Sequence, residues 1–195
     1  MNHSADPNVE ITFDAEGNCI VQSLCDIQPE SALTVSLGDP TNPTTLFAKY
    51  GFLSNDCQTI FCKAIHLEPQ IKELGYEYRD LLFGTETGEI SPKVWDTFLY
   101  AMLQMNDPAA AEGFYAACTS NDDGTKQEYH NHYFQYTLDA LKNHVHSILQ
   151  DVDQLTMKAQ TYDLATHPRV PVIVAHNNLV RETFAMTASM LEQMG

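Results

Sequence analysis

Histidines are the first residues in this sequence whose type suggests chemistry, because imidazole binds metal ions and carries protons near neutral pH. Two pairs, His130 with His132 and His144 with His146, have members two positions apart. On a helix, residues at that spacing point about 200° away from each other, so neither pair makes a joint ligand set. Along one continuous helix, His130 and His144 would be about 21 Å apart, too far to share an ion. We therefore expect no metal site.

Cysteine is the second residue type that could do chemistry, and the chain has 5 of them. Their number is odd and no pair has CxxC spacing, which predicts reduced, mostly buried thiols of an intracellular protein. Cys118 lies near the end of a predicted helix, where the helix dipole raises a thiol pKa. The sequence has no Gly-x-Ser-x-Gly, no phosphate-binding glycine loop and no zinc spacing. We expect no catalytic nucleophile.

Composition narrows the possible partners. The chain has 195 residues, 44% hydrophobic content and a formal net charge of −16. Such acidity argues against binding nucleic acid, where Lys and Arg must neutralise phosphates. No apolar run reaches the roughly 20 residues of a membrane span. The acidic surface is either simply solvated or suited to a basic protein partner, and composition leaves both open.

The first third of the chain predicts strands. Residues 10–13 alternate polar and apolar types, residues 14–18 have turn chemistry, and residues 19–21 resume the apolar pattern, which indicates a hairpin. Residues 32–35 and 59–67 are further predicted strands. A short helix over residues 44–50 is predicted to end at Gly51.

The rest of the chain predicts helices. Residues 69–83 have helical spacing, and Ser91-Pro92 and Asp107-Pro108 each place a capping residue before a proline. Residues 125–128 match a capping box that opens one long helix to about Leu155. Residues 119–124 form a loop, and a final amphipathic helix carries Leu179 to Leu191. The predicted class is α+β, mostly α, with a small irregular β part to roughly Leu67 followed by a helical bundle that holds the main core.

Three segments carry a resemblance to a known family. They are Asn2-His3-Ser4 with Pro7-Asn8, the run Leu33-Thr34-Val35-Ser36-Leu37-Gly38, and Leu46-Phe47-x-x-Tyr50-Gly51-Phe52 after Thr41-Asn42. Together they resemble SET-domain methyltransferases of the Rubisco large-subunit lysine methyltransferase class, which includes the actin-histidine methyltransferase. The resemblance implies that residues 1–53 are the C-terminal portion of a SET domain. Residues 54–195 would be the all-helical substrate-binding domain that follows it in this class.

The resemblance also implies a cofactor site for S-adenosylmethionine. By this likeness, Asn2 and His3 would contact the methionine or adenine part, and Tyr50 and Phe52 would line the cofactor and lysine pocket. Aromatic walls exclude water, attract an alkylammonium and favour the deprotonated amine. The cofactor carries its own reactive sulfonium, so no metal or catalytic triad is required. From the residues alone, a frayed terminus at Asn2-His3 and core packing of Tyr50 and Phe52 remain open.

The sequence departs from the family at two points. Leu37 stands where the family has a tyrosine whose hydroxyl lies beside the methyl transfer, and Pro29-Glu30-Ser31 replaces an acidic Gly-Glu-Glu. No glycine-rich cofactor segment is present, as in a truncated gene model or product. We expect a protein-lysine, or histidine, N-methyltransferase by family, inactive as this chain alone. The alternative is a non-catalytic module whose acidic helical domain binds a protein. The expected location is intracellular and soluble, with cytoplasm, nucleus and plastid all open.

Overall fold

The computed structural model describes residues 1–38, 43–53 and 57–195, with the backbone alone for residues 43–45. The chain forms two compact units, Met1–Cys57 and Gln58–Gly195, whereas the sequence-based boundary lies between residues 53 and 54. The structure is 57% helix and 11% strand, with the strands in small sheets. The predicted α+β, mostly α class is therefore confirmed.

The first unit is built from short strands and one helix. They are β1 (Asn2–His3), β2 (Val9–Phe13), β3 (Cys19–Ser23), β4 (Thr34–Val35) and α1 (Pro43–Tyr50). Strands β2 and β3 pair antiparallel, which confirms the predicted hairpin. Its turn is closed by Asp14, whose carboxylate accepts hydrogen bonds from the backbone and the side-chain amide of Asn18 at 2.8 and 2.9 Å. Gly17 adopts a φ of 84° there, a conformation that favours glycine.

The hairpin serves as the crossover between two parallel strands. Strand β1 pairs with β4 so that His3 lies opposite Val35. Asn8 locks this arrangement, because its side chain accepts from the Thr34 N–H at 2.8 Å and donates to the Ala32 carbonyl at 3.0 Å. The first residues are thus held in a sheet, and the reading of Asn2-His3 as a frayed terminus is wrong.

Helix α1 ends as its sequence predicts. Gly51 has a φ of 74°, and its N–H donates to the carbonyls of Leu46 and Phe47 at 3.2 and 3.0 Å. Leu46 is buried at 1% exposure. Gly38 approaches it so closely that an added Cβ would meet Leu46 Cδ2 at 2.9 Å. This close approach fixes α1 against the segment that follows β4.

The second unit is mainly helical. Its elements are β5 (Thr59–Phe61), α2 (Glu68–Glu73), β6 (Leu82–Gly84), α3 (Pro92–Asn106), α4 (Pro108–Ser120), α5 (Asp123–His132), α6 (Phe134–Gln160) and α7 (Val170–Gln193). Single 3-10 turns lie at Ile65–Leu67 and Tyr78–Asp80. Within the three described ranges, no helix is long and apolar enough to cross a bilayer.

Two sequence-based elements are shorter than predicted. The strand predicted over residues 59–67 ends at Phe61, and the helical pattern over residues 69–83 gives only α2 before the chain turns. Gly75, with a φ of 72°, stops that helix. The remainder of the pattern supplies β6, which pairs antiparallel with β5. An apolar run whose residues are buried by tertiary contacts has no distinct period of its own.

The single long helix predicted from Thr125 is wrong. The structure divides it into α5 and α6 at Tyr133, whose φ and ψ are −103° and 16°. The predicted capping box at residues 125–128 and the predicted loop at residues 119–124 are also wrong, because α4 runs to Ser120 and Asp122 caps α5. The Asp122 carboxylate accepts from the N–H and the hydroxyl of Thr125 at 3.1 and 2.7 Å.

The core of the second unit is formed by α3, α4, α6 and α7 together with the β5–β6 pair. Its largest fully buried side chains are Phe83, Phe114, Phe184, Ile60, Leu81, Leu99, Leu103, Leu138, Leu141, Leu191 and Val94. The predicted helix starts at Ser91-Pro92 and Asp107-Pro108 are confirmed, and the Asp107 side chain accepts from Ala110 N–H at 3.1 Å.

Gly88 marks the tightest backbone approach in this core. Its φ is 69°, and a Cβ added to it would lie 2.6 Å from both Met186 C and Thr187 N. The Thr187 hydroxyl donates to the Gly88 carbonyl at 3.2 Å. The loop that follows β6 is therefore packed directly onto the backbone of α7.

Candidate functional site

An aromatic cluster forms in the first unit from His3, Tyr50 and Phe52, which joins the N-terminus to a segment nearly 50 positions later. The ring centroids of His3 and Phe52 are 5.5 Å apart, and those of Tyr50 and Phe52 are 6.3 Å apart. Strand β1 places the histidine, and the end of α1 places the two aromatic residues. The structure thus brings together three of the four residues predicted to form the cofactor site.

The hydrogen bonding of His3 fixes its tautomer. Its Nδ1 accepts from the Leu37 N–H at 3.1 Å, so the ring proton lies on Nε2. This Nε2 is buried and has no hydrogen-bond partner among the described residues. A buried N–H without an acceptor is costly by about 1–3 kcal/mol. The Leu37 N–H thus holds the His3 ring in place beside Phe52.

The remaining predicted residues lie at the open side of the cluster. The side chain of Tyr50 is 49% exposed, Phe52 is half-buried and Asn2 is exposed. Core packing of Tyr50 is therefore wrong, because half of its surface faces solvent. An exposed tyrosine beside a half-buried phenylalanine is suited to contact a flat or cationic ligand.

Leu37 adjoins this cluster through its backbone. Its N–H orients the His3 ring, but its side chain offers no hydroxyl. The position thus retains a structural role and lacks the polar group that the resemblance associates with the transferring methyl.

A second candidate site lies in the helical unit around Asp96, which is buried at 2% exposure in the apolar helix α3. Three donors surround its carboxylate. The Tyr76 hydroxyl, Lys126 Nζ and His130 Nε2 lie 2.7, 2.8 and 2.7 Å from its oxygens. A buried charge requires such pairing, since an isolated carboxylate in a protein interior is strongly unfavourable.

The local environment keeps Asp96 ionised. Burial alone would raise the pKa of its carboxyl, but the hydrogen bonds from His130, Lys126 and Tyr76 outweigh burial and hold that pKa below its ordinary value. Burial opposes the charge of Lys126, and the bond to Asp96 reverses this and raises the Lys126 pKa. Burial and the Asp96 bond both raise the pKa of the Tyr76 hydroxyl. The cluster is an ion pair with a neutral phenol donor.

A groove opens beside this carboxylate, between the start of α3 and the side of α5. Its volume is about 570 Å³. We call it the helical groove, and its lining residues are Ile90, Pro92, Trp95, Asp96, Asp123, Lys126, Gln127, His130, Asn131 and Phe134. The rings of Trp95 and Phe134 stack at 6.0 Å with an interplanar angle of 17°. They form an aromatic wall facing the polar side of α5.

A second cavity of about 430 Å³ adjoins the ion pair. Asp96, Lys126 and Pro92 line both cavities, whereas Tyr76 and Cys118 line only this one. The Lys126–Asp96 ion pair therefore contributes to the walls of both spaces.

The thiol of Cys118 is unsuited to nucleophilic catalysis. Burial and the nearby Asp96 charge raise its pKa to about 11, in the direction that the sequence predicts. Cys62 is buried, and burial raises its pKa to about 12. The prediction of mostly buried cysteines is wrong, because Cys19 and Cys25 are exposed and Cys118 is half-buried.

The histidines take separate roles. His130 bonds to Asp96, His132 packs edge-on against Tyr133 at 4.6 Å, and His144 Nε2 lies 2.7 Å from the Cys62 carbonyl. Burial lowers the pKa of His144, which favours its neutral form. In the part of the chain that the structure describes, no three His, Cys, Asp or Glu residues are grouped for metal binding.

Sequence reasoning missed Asp96 and Trp95 as site residues. One signal was available, because Asp96 is a single acid within the apolar run Val94-Trp95-Asp96-Thr97-Phe98-Leu99. A charge on an otherwise buried helix face requires a partner. The partners could not be read from the sequence, since Tyr76 and His130 lie 20 and 34 positions away.

Comparisons of the chain with protein-family models, curated proteins and solved structures found no match.

Proposed function

We propose that residues 1–53 are the C-terminal portion of a SET domain, in a protein-lysine methyltransferase that uses S-adenosylmethionine. The observation that carries the proposal is the aromatic cluster. The segments that resemble the family lie at opposite ends of the first unit, and the fold brings His3 within 5.5 Å of Phe52. A chance likeness of short segments gives no reason for them to meet in space.

The cluster has the chemistry that such a cofactor requires. The His3 ring lies beside Phe52, and the faces of Tyr50 and Phe52 attract a sulfonium or an alkylammonium. Their apolar surfaces exclude water and favour a neutral lysine amine, the form that can accept a methyl group. When bound, S-adenosylmethionine supplies the electrophilic methyl. The role of this chain's residues is to bind the cofactor and to orient it.

Leu37 limits what this chain can do. The family's hydroxyl at this position would hold the amine in line with the methyl group, and leucine offers no hydrogen bond there. We expect the 195-residue chain alone to show neither methyl transfer nor tight cofactor binding. A radiolabelled methyl-transfer assay and a calorimetric cofactor titration on the purified chain test this, and clear turnover or tight binding would contradict it.

The genomic sequence upstream of the first codon tests the proposal that this chain belongs to the methyltransferase family. We expect an in-frame glycine-rich cofactor segment in the genomic sequence there, and a protein that includes it should bind S-adenosylmethionine. In that protein, Phe52→Ala should weaken cofactor binding about ten-fold, the effect of removing one good aromatic contact. Tyr136→Ala, which changes an aromatic residue of α6 that is 67% exposed, is the control. An in-frame stop codon upstream, or equal loss in both variants, would refute the proposal.

A second candidate function is a protein-binding module formed by the helical unit. The helical groove favours it, because a concave surface with aromatic walls and a few polar groups is typical of a binding site. The buried Asp96 is fully engaged by its three donors and is unsuited to proton transfer. This function requires neither the cofactor nor Leu37.

A further inference from the structure

We propose that the helical groove binds a lysine or arginine side chain from an extended, basic segment of a partner protein. This inference rests on the second candidate function, protein binding by the helical unit, and names the chemistry of the partner. Methyl transfer by the first unit is a separate question, and the groove can be occupied without any cofactor.

The apolar wall of the groove fits the stem of such a side chain. Trp95 and Phe134 stack on each other. Trp95 is half-buried and Phe134 is 39% exposed, so both keep surface open to a ligand. Ile90 and Pro92 add aliphatic surface to the lining. The methylene groups of lysine and arginine pack along apolar walls while their cationic ends stay near water. A cation over an indole or phenyl face gains a further attraction.

The charges of the groove select a cation. Lys126 Nζ and His130 Nε2 lie 2.8 and 2.7 Å from the oxygens of Asp96, so both groups are engaged within the groove wall. The remaining acidic group of the lining is Asp123, which is exposed on the first turn of α5. Because Lys126 is paired with Asp96, the Asp123 carboxylate is the charge of the lining that lies exposed to a ligand. An anionic ligand would therefore be repelled by this carboxylate.

The helical unit that contains the groove is also negatively charged. Residues 58–195 contain 18 Asp and Glu against 9 Lys and Arg. Such an imbalance attracts basic partners and repels acidic ones over distances up to the screening length, about 10 Å at 0.1 M salt. A segment with several Lys or Arg residues would thus be attracted before one of them enters the groove.

Trp95 allows a direct test because it is the only tryptophan in the 195-residue chain. Its fluorescence and its indole N–H resonance report on the groove in the unlabelled protein. The probes are a short alternating Lys-Ala peptide, the same peptide with Glu replacing Lys, and spermidine. We expect the Lys-Ala peptide alone to change the Trp95 signals saturably. Raising the salt from about 50 to about 500 mM should weaken its binding several-fold.

Matched variants locate the interaction. Asp123→Asn should weaken binding of the Lys-Ala peptide about three-fold at low salt, as expected for one exposed ion pair. Glu128→Gln removes an exposed carboxylate from the same helix outside the groove lining and should leave binding unchanged. Phe134→Ala should weaken binding about ten-fold. Tyr136→Ala, at a residue that is 67% exposed two positions along α6, is its control.

Several outcomes would overturn the proposal. They are an unchanged Trp95 signal with the Lys-Ala peptide, equal binding of the Glu-Ala peptide, or equal loss in Asp123→Asn and Glu128→Gln. Spermidine binding as tightly as the peptide would assign the groove to small polycations and also overturn a protein partner. No cofactor is present in these measurements, so their failure is distinct from failure of the methyltransferase proposal. Circular dichroism of each variant confirms that it is folded.

Discussion

The two units of this protein differ in what stabilises them. Among the described residues of the first unit, the buried apolar side chains are those of Val9, Val35 and Leu46. The helical unit buries large side chains from α3, α4, α6 and α7 in a common core. Apolar burial is the main favourable term in folding, whereas ordering each residue costs about 1–2 kcal/mol. The first unit therefore has the weaker core of its own.

The hairpin of the first unit shows the difference most clearly. Its strands expose apolar side chains, with Phe13 at 71%, Val21 at 47% and Ile20 at 44% exposure. The described strands pair only in two-stranded sheets, so each keeps an open edge. Two-stranded hairpins are marginally stable in water, and open edges pair readily with other chains. These residues have the pattern of a sheet that packs on further structure.

The largest expected effect is in hydrogen exchange. Amides of β2 and β3 should exchange through local opening, whereas core amides of α3 and α6 should exchange only through global unfolding. We expect the free energies of opening to differ by about 5 kcal/mol between these elements. Native-state exchange read by mass spectrometry or NMR measures this. Equal protection in both units would contradict the difference in stability between them.

Gly88→Ala should cause the largest loss of stability among the substitutions considered. Its new Cβ would lie 2.6 Å from the backbone of α7, at a φ of 69° that disfavours alanine. We expect the free energy of unfolding of the helical unit to fall by about 4 kcal/mol, from overpacking plus backbone strain.

Gly75→Ala is the matched control, since Gly75 has a φ of 72° with nothing within 4 Å of the added Cβ. Gly75→Ala should lower the free energy of unfolding by only about 1 kcal/mol, because it adds backbone strain without a steric clash. Urea unfolding followed by circular dichroism compares the two. A loss for Gly75→Ala as large as for Gly88→Ala would show that the approach to α7 is not what matters.

Asp96→Asn should come next in magnitude. It removes the buried charge that pairs with Lys126 and alters the group hydrogen-bonded to His130, and we expect a loss of about 3 kcal/mol in the free energy of unfolding. Asp153→Asn is the matched change, because Asp153 pairs with Arg181 at 2.9 Å with both side chains more than half exposed. That pair should contribute less than about 1 kcal/mol. Similar losses for both variants would contradict the special role of the buried carboxylate.

The smallest effect is on acid stability. The pKa of Asp96 lies below its ordinary value of 3.8, mainly because three hydrogen bonds outweigh burial. A lowered pKa gives stability that is fully present above the unfolded value and is lost as pH falls from there through the folded pKa. Thermal unfolding from pH 6 downward should therefore show a shallower acid decline below about pH 4 for Asp96→Asn than for the parent chain. Parallel pH dependences of the unfolding temperature in the variant and the parent chain would contradict this prediction.

Local chemistry made part of this fold predictable. The hairpin, the start of α3 at Ser91-Pro92 and the end of α1 at Gly51 each depend on residues within a few positions, and all three are confirmed. The division of α5 from α6 was missed because no proline or glycine marks it. Tyr133 ends α5, and its hydroxyl donates to Asp107 Oδ2 at 3.1 Å, a contact 26 positions away in sequence. Such a break is determined by tertiary structure.

The two candidate sites also differ in whether local sequence predicts them. His3, Tyr50 and Phe52 were named because short segments resemble a family, and the structure places them together. The helical groove was not named, since its wall joins Trp95 of α3 to Phe134 at the start of α6. No local pattern connects those positions. A site assembled from helix packing becomes visible only when the packing is known.

Helix α5 has a consequence for how this protein responds to its surroundings. None of its residues is buried, and carboxylates fix it at three points: Asp122 at its start, Asp96 beside its middle, and Asp107 at Tyr133 just beyond its end. Two rings of α5 also pack on the core, because Tyr129 and His130 lie 5.6 and 5.5 Å from the ring of Phe114, which is fully buried. Detaching this helix would therefore expose a core phenylalanine as well as break the carboxylate contacts. Its local opening should carry a positive heat-capacity change and become easier as ionic strength rises. One side of the helical groove is thus held by charge and by apolar burial together.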